Sequence, residues 1–65
     1  MSEEWEFFIL LLEKYSEYKS ESAREVLERW KNADIIPYIN RMYGLYHIER
    51  LENAFEDIDR KLEQR

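Results

Sequence analysis

The chain has 65 residues, fifteen acidic against ten basic side chains and no cysteine, which makes a single small acidic domain (residues 1–65) with no disulfide framework and no thiolate metal site. A net charge of −5 argues against nonspecific nucleic-acid binding, which needs a basic face. So short a chain buries only about 60% of its unfolded surface, and its core must rest on its ten aromatic residues or on a second copy.

Ser2 is placed to cap a first helix, with Glu3 and Glu4 at its positive end. The pattern predicts that this helix runs to about Tyr18. At about 100° per residue, Trp5, Phe8, Leu12 and Tyr15 share one side, Ile9 lies beside them and Leu11 flanks the other edge. Phe7 and Leu10 point away from that stripe. The run Phe7-Phe8-Ile9-Leu10-Leu11-Leu12 is thus apolar nearly all round, as expected of a central helix or of one that shares a face with another chain. A bilayer span needs about 20 apolar residues, so the run does not predict a membrane segment. Glu3 and Glu4 stand where a secretory signal would carry basic residues. Together with the lack of cysteine, this leads us to expect a cytoplasmic protein.

Lys19-Ser20-Glu21 reads as a short connection. Ser22-Ala23-Arg24-Glu25 matches the Ser-x-x-Glu capping box and opens a second helix to about Lys31, with Ala23, Val26, Leu27 and Trp30 on one face. Glu25 and Arg29 form an expected i,i+4 pair, and Asn32 is the expected left-handed cap. Asp34 is the next N-cap candidate. Pro37 falls in the first turn of a short helix, where its missing N–H costs nothing. Ile35, Ile36, Ile39, Met42 and Tyr43 give that helix an apolar face, and Gly44 is expected to end it. A last helix is predicted from Leu45–His47 onward. Its seam is Ile48, Leu51, Phe55, Ile58 and Leu62, expected to pack against the first helix. The sum is an all-α fold, a compact bundle of three long helices plus one short helix, with antiparallel neighbours.

Enzyme readings lack their parts. There is one histidine and no cysteine, and Ser2, Ser20 and Ser22 stand at expected helix starts, where capping explains a serine. His47 has no converging ligands in the pattern, and reads as a helix-start or aromatic-stacked residue near Tyr43 and Tyr46. Asp57-Ile58-Asp59 looks like a metal pair, but residues two apart do not face each other on a helix, and no calcium-loop glycine follows. One glycine in the whole chain excludes a known phosphate-cradling loop. Arg24, Arg29, Lys31 and Arg41 alternate with Glu21, Glu25, Glu28 and Asp34, so no DNA-reading face emerges. We therefore expect no catalysis, no cofactor, no metal, no nucleic-acid binding and no membrane association.

Acidity is uneven: residues 1–18 carry five acids against one base, and residues 44–65 six against four. Glu49, Glu52, Glu56, Asp59 and Glu63 repeat at spacings of three and four, a second stripe beside the apolar seam. On a helix it would run about 21 Å. Read plainly it is a solvated face. Read functionally it is a docking edge for a protein partner with a basic surface.

The ordered set formed by Phe7-Phe8-Ile9-Leu10-Leu11-Leu12, Ser22…Glu25-Val26-Leu27, Asp34-Ile35-Ile36, Tyr43…Tyr46-His47 and Asp57-Ile58 resembles a family of short bacterial proteins classed as a domain of unknown function. The resemblance covers about residues 5–62. It implies a neighbourhood of other small genes, including ADP-ribosyltransferase-like toxins, and so an antitoxin or an accessory partner of a toxin. It carries over no functional residue. We expect a small non-catalytic interaction protein that masks a partner. The alternatives are a phage-type inhibitor of a host defence protein, and a self-assembling protein with Phe7, Leu10 and Leu11 at a two-fold interface.

Overall fold

The computed structural model describes residues 2–64, and these form five helices: α1 (Glu3–Lys19), α2 (Ala23–Asn32), α3 (Ile36–Arg41), α4 (Tyr43–Tyr46) and α5 (Leu51–Glu63). The all-helical expectation holds, with α1, α2 and α5 as the longer members. The expected single short helix is two, α3 and α4. α1 packs on α2 and α4, and α4 packs in turn on α3 and α5.

Ser2 accepts a hydrogen bond from the Trp5 amide at 3.1 Å, and three glutamates occupy the first turn of α1, where they complement the helix dipole. The buried face of α1 is Phe8, Leu11, Leu12, Tyr15 and Ser16. This stripe is rotated from the expected one: Leu11 enters the core with no exposed surface, while Trp5 and Ile9 remain 50% and 39% exposed. Trp5 instead lies flat on Phe8, ring centres 5.7 Å apart. The run gives Phe8, Leu11 and Leu12 to the core and leaves Ile9 and Leu10 exposed, so its sides do not divide as periodicity alone suggests.

α1 ends in a Schellman motif. Ser20 does not open a helix as expected but closes α1: it takes the left-handed conformation at φ 57°, its amide donates to the Glu17 carbonyl, and the Glu21 amide donates to the Ser16 carbonyl. The capping box then opens α2 as expected. Glu25 N–H donates to Ser22 Oγ at 3.1 Å, and Ser22 N–H donates to Glu25 Oε1 at 3.2 Å. With Glu25 so engaged, Arg29 turns to Glu21 rather than to Glu25 and donates to both of its carboxylate oxygens.

α2 ends in a second Schellman motif, with its left-handed residue two positions later than expected. Asn32 stays helical and Asp34 takes the left-handed position at φ 59°. The Asp34 amide donates to the Lys31 carbonyl and the Ile35 amide to the Trp30 carbonyl. Asp34 is thus spent on the end of α2 and does not cap α3, whose first turn carries Pro37 and no side-chain cap.

The largest correction lies at Gly44 and Ile48. Gly44 does not terminate a helix: it sits inside α4 with a negative φ. α5 begins at Leu51, after an extended Arg50, so the segment around Ile48 is a turn and Ile48 is 72% exposed. The reason is Tyr46. In one continuous helix Tyr46 and Asp57 would lie about 16 Å apart along the axis. In the folded chain Tyr46 is buried and its hydroxyl reaches Asp57 at 2.5 Å, which requires the chain to turn back between them. The remaining seam of α5 behaves as expected: Phe55 and Ile58 are buried and Leu51 and Leu62 pack against the core.

Trp30 is the centre of that core, fully buried. Phe8 and Tyr15 meet it edge to face, at 5.9 and 5.4 Å between ring centres. Tyr15 reaches on to Phe55 at 5.8 Å, so the aromatic cluster ties α1, α2 and α5 together.

Candidate functional site

α5 carries the chemistry that organises the surface. Ile58 is fully buried, and the aspartates on either side of it diverge, as residues two apart on a helix must. Asp57 faces α3 and α4, where it accepts hydrogen bonds from Tyr38 at 2.6 Å and Tyr46 at 2.5 Å. Asp59 faces α1, where it accepts from Tyr15 at 2.6 Å and from Lys19 at 2.9 Å. Asp-Ile-Asp is thus a double clamp rather than a metal pair. Sequence reasoning missed it, although one signal was present: both aspartates stand at the borders of the buried seam, where a tyrosine from a neighbouring helix can reach.

The clamps perturb the groups that make them. Burial pushes the Tyr46 and Tyr15 hydroxyls up, well past the ordinary phenol range, and the hydrogen bonds to Asp57 and Asp59 add to the effect. Tyr38 is raised for the same two reasons. Burial alone would raise Asp57, but the Tyr38 and Tyr46 hydroxyls and Arg60 outweigh it and hold its carboxyl below the usual range. Lys19 is raised by its bond to Asp59.

The expected acidic stripe is only partly assembled. Glu52, Glu56 and Glu63 are exposed on α5. Glu49 is exposed too, but in the turn before the helix, not on it. Asp59 is withdrawn into its clamp. An exposed edge of four glutamates remains, with the Arg50–Glu52 pair at 3.9 Å a weak, solvent-screened contact. Beside it, Met42, Leu45, Tyr46, Glu49, Asn53, Glu56, Asp57 and Arg60 line an open cleft of about 260 Å³.

Phe7, Leu10 and Leu11 do not form a common surface. Leu11 is in the core, Phe7 packs edge to face on Tyr43 at 5.6 Å, and only Leu10 is substantially exposed, at 41%. The two-fold interface expected from these three is not available to the folded chain. His47 is exposed at the end of α4, not at a helix start. Its ring lies flat on Tyr43, 4.4 Å between centres, with Nδ1 2.7 Å from the Tyr43 carbonyl. Ser16 Oγ donates to the Leu12 carbonyl. The described residues hold no cluster of three His, Cys, Asp or Glu that could bind a metal, and no helix among them is long and apolar enough to cross a membrane.

The model of the family described as "Protein of unknown function (DUF3791)" matches residues 6–65. No curated protein and no solved structure matches the chain.

Proposed function

The chain belongs to the DUF3791 family, and we propose that it is a small helical bundle acting as a non-catalytic interaction module, docking a protein partner with a basic surface along its α5 edge and masking it as an antitoxin or accessory protein would. The observation that carries this reading is the division of labour among the acids of α5. Asp57 and Asp59 hold the fold, whereas Glu52, Glu56 and Glu63, with Glu49 beside them, face solvent. Like charges so aligned slightly disfavour their own helix, and they attract and orient a basic partner. No chemistry is needed from His47, which is stacked on Tyr43, or from Ser2 and Ser22, which cap helices.

The test is a pull-down and growth-rescue assay with the product of the gene encoded beside this one. The reading predicts that the neighbour binds and that co-expression relieves its toxicity. A neighbour that neither binds nor harms growth would refute masking of that partner. Self-assembly is the second reading. It moves from Phe7, Leu10 and Leu11 to the exposed Trp5, Ile9 and Leu10 of α1, and a monomer at high concentration by light scattering would dismiss it.

A further inference from the structure

Gly44 is a glycine that the fold does not require. It has no positive φ, and a Cβ added to it would meet nothing within 4 Å. Inside a helix a glycine costs about 1 kcal/mol relative to alanine. Among the described residues no close approach and no positive φ calls for glycine at this position.

What surrounds Gly44 is informative. Leu45 and Ile48 follow it around the same turn, 47% and 72% exposed, with the Ile48 amide donating to the Leu45 carbonyl. These are among the largest exposed apolar side chains of the chain, and Leu45 also forms a wall of the cleft that holds Glu49, Asn53 and Glu56. Leu45 and the carboxylate-bearing Glu49 and Glu56 line this one cleft, and Gly44 and Ile48 stand before and after Leu45 on the turn that leads into it. The basic group in the cleft, Arg60, is occupied by Asp57 at 3.3 Å.

We infer that the α4 turn is the apolar anchor of a docking surface, and that its occupant is an amphipathic helix of a partner protein whose apolar ridge is flanked by lysine or arginine. Glycine lets a foreign backbone approach closely. Leu45 and Ile48 bury against the ridge. Glu49 and Glu56 meet the flanking cations and fix the direction of the bound helix. This inference rests on the acidic-edge reading and adds to it the partner's chemistry and the site of close contact.

The experiment uses the full chain and a dye-labelled leucine–lysine peptide of about four helical turns, with leucines on one face, followed by fluorescence anisotropy. Gly44→Gln adds bulk into open space at a helical position, and Ile48→Ser removes an exposed side chain, so both leave melting unchanged or improved. Glu49→Lys with Glu56→Lys tests the acidic edge separately. The inference expects wild type to bind, and each of the three changes to weaken binding by about tenfold or more. It also expects a glutamate-for-lysine version of the peptide not to bind. If only the charge reversal weakens binding, the α4 anchor is overturned and the acidic edge stands. If only Gly44→Gln and Ile48→Ser weaken it, the acidic edge falls and the basic character of the partner with it. Failure of wild type to bind would overturn the inference, as would a wild-type dimer that Gly44→Gln dissolves, since the seat would then belong to a second copy.

Discussion

Asp57→Ala removes the acceptor shared by Tyr38 and Tyr46 without touching the apolar seam of α5. Both phenols donate to this one carboxylate, at 2.6 and 2.5 Å, and Tyr46 is only 2% exposed, so its hydroxyl has no easy route to water. A hydrogen bond to a charged group contributes about 1.5–3 kcal/mol. The Asp57 side chain keeps 22% of its surface, which places each bond near the low end, and the exposed Arg60 pair adds little. The expected loss is about 3 kcal/mol, against a total stability of roughly 3–10 kcal/mol for a domain of this size. Thermal unfolding followed by circular dichroism should show a drop of roughly 12–24 °C. Glu56→Ala, one residue away and exposed, should stay within about 0.5 kcal/mol of wild type. In a Tyr38→Phe/Tyr46→Phe background, Asp57→Ala should cost less than about 1 kcal/mol, because no phenol then needs the acceptor. If Asp57→Ala melts with wild type, or costs as much in the phenylalanine background, the clamp is not what holds α3 and α4 to α5.

The raised phenols make the fold alkali-sensitive. Tyr15, Tyr38 and Tyr46 all have folded values above the ordinary one, so their stabilisation is complete below about pH 10 and is lost as the pH rises beyond it. Each costs about 1.4 kcal/mol per pH unit and the three together up to about 4; tyrosinate absorbance from these residues should appear only as helical circular dichroism is lost, and full ionisation with the helices intact would contradict this. At the acid end the lowered Asp57 contributes stability above its unfolded value near pH 4, lost as the pH falls through its lower folded value; denaturant titrations of wild type and Asp57→Ala should converge there. Gly44→Ala should stabilise by about 0.5–1 kcal/mol, read as a higher urea midpoint, and a destabilised variant would mean that Gly44 has a structural role. Leu11→Ala should cost about 2–5 kcal/mol as a core truncation, whereas Leu10→Ala should cost far less; equal costs would contradict the burial of Leu11.

The parts of the fold that depend on neighbours in sequence were legible. Ser2, the Ser22–Glu25 box and Pro37 each act within one helical turn, and each was found where the residue pattern put it. The left-handed caps were harder because serine, asparagine and aspartate compete for such sites: Asp34, not Asn32, takes the second one, and so is not free to cap α3. Ile48 fitted the apolar period of α5, and period alone cannot register that the Tyr46–Asp57 bond breaks the helix between them. The acidic stripe was legible as a pattern and not as a surface, because Asp59 is withdrawn by Tyr15 and Lys19 from a helix 40 residues or more away. Long-range hydrogen bonds of this kind leave no local spacing to read.

The central claim is that the exposed glutamates of α5 act on a partner and not on the fold. The most direct measurement is a calorimetric titration of wild type and of Glu52→Lys/Glu56→Lys/Glu63→Lys with the neighbouring gene product, at low and at physiological salt. The account predicts that the variant keeps the circular dichroism of wild type and loses about tenfold or more in affinity, and that wild-type affinity falls as salt rises. Equal affinity of the two proteins at both salt concentrations would contradict it.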